Sequence, residues 1–439
     1  VNEAQFKYIL IVRVNPMLVE FRVKNFRSLR DEQVLSLVAS KDKTLQDTHT
    51  LATGLKAAPS LLCSAAVYGA NASGKSNLIK ALQYMRGVVM ESATVIQPSQ
   101  TYDKLQQFRL DSESAGQPTE FEVTFILDGV RYQYGFSMTK QRIVREHLLV
   151  YKAFKPQRWF ERHLDADTGK DVYEFGPGLK GSKNLWEGAT RPNALFLSMA
   201  VQLNSDALRP VFDWFAKRLV IFNEQAQLNP QVSIQMIKKA EGRKQLCDFL
   251  TAADISISDI ELVTRKVVGQ GIKIDLATGK QEVGPFEDEV SELKFHHATS
   301  NGKAVFDLAD ESSGTRNLLF LTGPILDILD KGLTLVVDEL DTSLHTHLVQ
   351  ALVRLFHRPE VNTGGAQLIF TTHDTTLLDT YGLFRRDQIW FVEKKKDQSS
   401  ELYGLVEFGP RKNEALERRY LQGRYGAIPI IGDLIGAQH

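Results

Sequence analysis

The sequence predicts an α/β protein built on a mostly parallel sheet, and three observations predict it. From Phe306 onward, apolar runs of strand length alternate with stretches at helical spacing, the pattern that parallel strands and their crossover helices produce. Near the start, the glycine-rich octapeptide Gly69-Ala-Asn71-Ala72-Ser73-Gly74-Lys75-Ser76 stands between an uncharged run, Leu61 to Tyr68, and a segment that sets Leu78, Ala81, Leu82 and Met85 on one helical face. The chain has 439 residues, 43% hydrophobic and 24% charged, enough for two or three domains and a sizeable core.

Taken in order, residues 1–16 are read as an N-terminal extension ahead of Met17, with Tyr8 to Val12 too short for a secretory apolar region. Leu18 to Val23 alternates apolar and polar side chains until Lys24-Asn25-Phe-Arg27-Ser28 interrupts it, which predicts an edge strand and a turn. Asp128-Gly129 separates two alternating runs, Thr119 to Leu127 and Arg131 to Met138, a hairpin pattern. Residues 140–190 carry Pro156, Gly169, Gly176, Pro177 and Gly181 among aromatics, hence short strands and loops. Residues 194–260 look helical. Then come a helix at Leu318 to Leu329, a buried strand at Leu333 to Asp338, a helix at Leu348 to Phe356 and a strand at Gln367 to Thr372. The expected organisation is a β-rich first half of a nucleotide-binding body (17–139), a mixed α+β insertion (140–300), the second half (301–410) and a tail (411–439). Sustained heptads are absent from the sequence, which argues against a coiled-coil arm.

Fifty-three basic residues balance fifty-three acidic ones, so no global field draws the chain to nucleic acid or lipid. Cys63 and Cys247 make neither a disulfide framework nor a metal cluster and read as buried thiols of a cytoplasmic protein. No run approaches the roughly eighteen apolar residues that a membrane span requires.

The octapeptide fits GxxxxGK[ST]. In such a loop backbone N–H groups and a helix N-terminus cradle a polyphosphate, Lys75 reaches the β and γ phosphates, and the Ser76 hydroxyl can ligate Mg²⁺. Leu335-Val-Val-Asp338-Glu339 is either an apolar strand ending in a solvated acidic turn or one whose Asp338 holds a metal shell while Glu339 orients a water. His373, after Gln367 to Thr372, either caps that strand or hydrogen-bonds a terminal phosphate. Ser312, Ser313 and Gly314, ahead of the helix at Leu318, form an N-cap or present free N–H groups to an anion.

That order of motifs resembles the ATP-binding cassette (ABC) ATPases, particularly the SMC, RecF and OLD group of P-loop NTPases. Gly69-Ala-Asn71-Ala-Ser-Gly-Lys-Ser-Asn77 is similar to the group's GxNGSGKSN, and Lys24-Asn25-Phe-Arg27-Ser28 to its N-terminal N-F-R-S. Tyr420 to Pro429 and Asp338 to His345 resemble compact ATPases of bacterial restriction and phage-defence loci, the RloA-like kind. The resemblance implies a split ATPase head with ATP and Mg²⁺ as ligands. It implies nucleotide contacts at Asn25, Arg27, Gly69, Asn71, Ala72, Ser73, Gly74, Lys75, Ser76 and Asn77, metal ligands Ser76 and Asp338, and catalytic roles for Glu339, His373 and Lys75. Because the group's signature loop acts on the other protomer's nucleotide, it also implies a homodimer whose Ser312, Ser313 and Gly314 complete the opposite site. Glu311 and Thr315 depart from the transporter signature, and Gln106 and Gln107 are candidates for the glutamine loop. No separate nuclease carboxylates follow His373, and Asp165-Ala-Asp167 beside Gly169 reads as a β-turn.

Two functions follow from the resemblance: an ATP-driven regulator of a separately encoded nuclease or toxin in phage defence, or a RecF-like ATPase that grips DNA when ATP closes the dimer. Basic residues at Arg385-Arg386, Lys394 to Lys396, Arg411-Lys412, Arg418-Arg419 and Arg424 are either phosphate contacts for the second or solvated faces. A catalytically slow scaffold is a third reading.

Overall fold

A computed structural model describes residues 16–152, 155–222, 231–274, 281–342, 344–411 and 414–429, with side-chain environments left aside for 268–290. The expected extension and the end of the tail lie largely outside these residues, as does Ser343. The chain forms two compact units, one from Val1–Gln225 with Ile328–His439 and one from Ala226–Asp327.

The first unit holds the parallel sheet. Leu219–Phe222, Thr334–Val337, Gln367–Thr371, Ser64–Tyr68 and Ile389–Lys394 run parallel in that order, and Ser400–Gly404 closes the edge antiparallel. The Thr334, Gln367 and Ser64 strands are buried throughout, which is why they read as near-continuous apolar runs and not as alternations. The strand that precedes His373 lies between the acidic strand and the glycine-rich-loop strand, so the three candidate segments leave the sheet at neighbouring carboxyl ends.

Two expectations change here. The run Leu61 to Tyr68 divides at Cys63, because Ser60–Leu62 pairs antiparallel with Thr50–Ala52 while Ser64–Tyr68 enters the parallel sheet. The expected helical stretch 194–260 contains the edge strand Leu219–Phe222, which follows a single π-helical turn at Trp214–Arg218, and a further strand starts at Asp259. Four apolar residues carry no period of their own, and pairing with Thr334–Val337 decides the conformation.

A seven-stranded antiparallel sheet accompanies the parallel one, in the order Asp171–Phe175, Gln157–Leu164, Ile143–Tyr151, Val130–Met138, Thr119–Leu127, Met17–Lys24, Gln33–Ser36. The expected hairpin pairs Leu127 with Val130 across Asp128 and Gly129, whose φ of +50° and +74° give the doubly left-handed turn that matches strand twist. Phe21, Val23, Phe121, Val123, Phe125, Phe136, Leu148 and Phe160 from this sheet share one core with Leu78, Ala81, Leu82 and Met85 of helix Lys75–Glu91. Residues 143–175 therefore extend the N-terminal lobe instead of beginning an insertion. The buried Glu146 carboxylate fixes the next segment by accepting the N–H groups of Phe196 (2.6 Å) and Leu197 (2.9 Å), with Arg162 donating to Ala194 O (2.6 Å). The second unit contains helices Gln231–Ile237 and Ala240–Ala252, a three-stranded sheet of Asp259–Ile274, Gln281–Thr299 and Gly302–Asp307, and most of helix Ser313–Lys331. Among the described residues no helix is long and apolar enough to cross a membrane.

Behind the phosphate-loop strand, the rings of His49 and His357 stack at 3.8 Å, and His357 Nε2 lies 2.8 Å from Ser64 Oγ. Burial lowers both pKa values below 6.5, helped at His357 by His49 and Arg354 and at His49 by Arg385, against Asp387 and nearby carbonyls. As pH falls through 6.5 the unfolded chain takes up protons that the folded rings refuse, so stability is lost on acidification by up to about 1.4 kcal/mol per ring per pH unit. Urea unfolding at pH 7.5 and 5.5 should show a smaller decline for His357→Gln than for the natural chain; parallel declines would dismiss this origin of acid sensitivity.

Candidate functional site

The loop after Ser64–Tyr68 is shaped by two glycines that tolerate no side chain. Gly69 has φ +157° and Gly74 φ +113°; a Cβ at Gly69 would lie 2.4 Å from Val392 O, and one at Gly74 2.2 Å from Ser400 Oγ. Ala72, at φ +60°, and Asn71 are exposed on the outer side of the loop, whereas Ser73 is buried. Helix Lys75–Glu91 starts immediately after, so its unpaired first N–H groups face the loop.

Lys75 is 5% exposed and folds back on the loop, donating from Nζ to Gly69 O (2.7 Å) and Ala70 O (3.1 Å). Burial lowers its pKa to about 8, opposed by the negative charges of Glu339, Asp338 and Asp341. An anionic ligand in the loop would offer this ammonium better partners than two carbonyls.

Asp338, 6% exposed, stands at the end of Thr334–Val337 and draws two other segments together. Its Oδ1 accepts hydrogen bonds from Ser76 Oγ (3.1 Å) and Thr371 Oγ1 (2.7 Å). Glu339 turns outward at φ +55°, held by its N–H to Thr371 Oγ1 (2.7 Å), and Thr342 Oγ1 donates to its Oε2 (3.2 Å). His373 Nε2 lies 3.5 Å from Glu339 Oε1, and its backbone N–H donates to Asp341 Oδ2 (3.2 Å). Lys75, Ser76, Asp338, Glu339 and His373 are thus one constellation. Thr371 was missed in the sequence; its only signal was a Thr-Thr pair at a strand end, a type and place too common to notice.

The oxygens of Ser76 and Asp338 suit Mg²⁺, a hard cation bound by one or two protein oxygens together with substrate phosphates. Among the described residues no group of three or more His, Cys, Asp or Glu forms a metal cage of its own.

The remaining expected residues divide. Asn77 Nδ2 bonds Ser28 Oγ (2.7 Å) beside the loop. Arg27, Ser28, Ala72, Asn77 and Gln106 line a cavity of about 290 Å³ against the loop, and the Arg27 Nε is buried without a hydrogen-bond partner. Asn25 must be corrected. Its amide donates to Ser114 O (2.7 Å) and Gln117 O (2.9 Å) and its Oδ1 accepts Phe108 N–H (3.0 Å), so the side chain braces the following lobe and has nothing left for a nucleotide. Gln107 Nε2 is occupied by Gln117 O (3.3 Å). Ser312 Oγ accepts Thr315 N–H (3.0 Å) as an N-cap, with Ser312, Ser313 and Gly314 exposed on the second unit. Asp165 Oδ1 accepts the N–H groups of Asp167 (2.8 Å) and Thr168 (3.0 Å), the turn that was expected. Of the late basic residues, Arg385 is buried against Asp387, Lys395 pairs with Glu401, and Arg419 and Arg424 share Glu414, while Lys412 lies outside the described residues.

Among solved structures, the chain is similar to the SMC head domain from Thermotoga maritima at 14% identity and TM-score 0.39, over 88% of this chain and 98% of that one. An Smc head domain with a coiled coil and joint from Pyrococcus yayanosii gives 11% identity and TM-score 0.39, over 93% and 100%. An Smc head domain with an extended coiled coil, bound to the C-terminal domain of ScpA and derived from Pyrococcus furiosus, gives 14% and 0.38, over 89% and 97%. No curated protein sequence matches. With a phosphate loop, an acidic strand end and a histidine strand end side by side on one parallel sheet, and with residues 64–379 matching the family described as "AAA domain, putative AbiEii toxin, Type IV TA system", the chain belongs to that family of P-loop ATPases.

Proposed function

We propose that the protein hydrolyses ATP to ADP and phosphate as a dimer switch that controls a separately encoded effector, a nuclease or toxin, in bacterial phage defence. The observation that carries this reading is the meeting of Ser76 and Thr371 on Asp338, beside Lys75 and the Glu339–His373 pair. Lys75 leaves the loop carbonyls for the β and γ phosphates; Ser76 and Asp338 would hold Mg²⁺, which would neutralise phosphate charge when bound. Glu339 orients a water for in-line attack on the γ phosphorus and accepts its proton, while the bond to the ADP oxygen breaks. His373 hydrogen-bonds the γ phosphate and registers its departure. Two copies arrange head to tail, each exposed Ser312-Ser313-Gly314 segment capping the γ phosphate bound by its mate. ATP then favours the closed dimer and hydrolysis releases it. The mention of a Type IV TA system in the family description fits a role in a multi-component module, and two buried thiols outside any disulfide suit the cytoplasm. The DNA-gripping alternative draws less support, because several of the basic residues it would use are already paired with acids.

Mixing two inactive variants tests the composite site. Lys75→Ala and Gly314→Asp homodimers should each be dead, but their heterodimer keeps one intact site, so a mixture should regain about a quarter of the natural ATPase rate. A mixture as inactive as its parents, despite demonstrated heterodimers, would overturn the shared site.

A further inference from the structure

The C-terminal hairpin, Ile389–Lys394 with Ser400–Gly404, touches the phosphate loop at a point that no motif predicts. Ser400, 2% exposed, places its Oγ 2.5 Å from Ser73 O and 2.8 Å from Ser28 Oγ, and Ser28 Oγ lies 2.7 Å from Asn77 Nδ2. Ser73 O can only accept, so the Ser400 hydroxyl donates to it; the longer Ser400 contact is directed toward Ser28 Oγ, which also accepts from the Asn77 amide, and the single Ser400 hydrogen favours the shorter bond to Ser73 O. The hairpin turn is anchored on the same side, since Ser400 N–H donates to Ser28 O (2.7 Å) and Asp397 pairs with Arg30 (2.8 Å).

A trans peptide holds its C=O and the following N–H on opposite sides of one rigid plane. Pinning Ser73 C=O toward Ser400 therefore turns the Gly74 N–H away from the clamp, to the side where a loop of this kind presents donors to phosphate. Gly74 at φ +113° has no steric preference that would hold this orientation by itself.

We propose that Ser400 is a positioning residue of the nucleotide site: its hydroxyl fixes the Ser73–Gly74 peptide so that the Gly74 N–H is aimed at the β phosphate. The inference rests on the phosphate-loop reading given above. A β-phosphate contact is made equally before and during γ-phosphoryl transfer, so its loss acts on binding and not on turnover.

The test compares the natural chain with Ser400→Ala in titrations with MgATP, MgADP and AMP and in steady-state ATPase assays. Expected are about tenfold weaker binding of ATP and ADP alike, unchanged AMP binding, KM raised about tenfold and kcat within about twofold. Ser28→Ala, which leaves the bond from Ser400 to Ser73 O, should weaken ATP and ADP by only about two- to threefold. A Ser400→Ala protein with natural ATP and ADP affinities, one that loses kcat at unchanged KM, or one that fails to fold while Ser28→Ala binds normally, would overturn the proposal. A natural chain that binds neither ATP nor ADP would instead remove the phosphate-loop reading itself.

Discussion

Glu339→Gln is expected to cut ATP turnover by about 10² to 10⁴, roughly 3 to 5 kcal/mol of barrier, while leaving nucleotide affinity within a few-fold. Glu339 stands where an attacking water would need a base: outward at φ +55°, next to His373 at 3.5 Å, and one residue past the buried Asp338. The amide keeps the shape and the Thr342 contact but cannot take a proton. Binding should survive because Lys75 and the loop N–H groups are untouched, so the variant should accumulate as an ATP-loaded dimer. Size-exclusion chromatography with and without MgATP, beside a phosphate-release assay, decides it. A variant that stays monomeric with ATP and hydrolyses at the natural rate would end the assignment.

Lys75→Ala is expected to weaken ATP binding by about 10- to 100-fold, the roughly 1.5 to 3 kcal/mol of charge-assisted hydrogen bonds to phosphate. The buried Nζ already sits in the loop on Gly69 O and Ala70 O, with burial lowering its pKa to about 8, so the empty protein bears a desolvated ammonium that phosphate would relieve. The same substitution removes a group held only by loop carbonyls, so the fold should persist. Calorimetric titration with MgATP measures the effect, and unchanged affinity in a folded variant would eliminate the phosphate-loop role.

Much of the site was legible because its parts are local. The loop, its strand and its helix lie within thirty residues, and glycines at 69 and 74 declare backbone that admits no Cβ. The Asp338-Glu339 strand end and the His373 strand end were legible for the same reason: apolar runs of strand length followed by polar residues. What was not legible came from distant pairing. Leu219–Phe222 has four residues and no period, so only its neighbour made it a strand. Strands over 143–175 looked like an insertion because nothing in alternation tells which sheet a strand will join. Asn25 has the residue type and context of a ligand contact, yet its amide is committed to carbonyls more than eighty positions away.

The sequence by itself determined the candidate groups: a glycine-rich loop with its lysine, an acidic strand end and a histidine strand end, each written in a few adjacent residues whose backbone needs are local. The tertiary structure alone decided which groups share a hydrogen-bonding partner. Thr371 on Asp338, Ser400 on Ser73 and the diversion of Asn25 all depend on strands brought side by side by burial of apolar surface, a force that depends on area and ignores sequence separation.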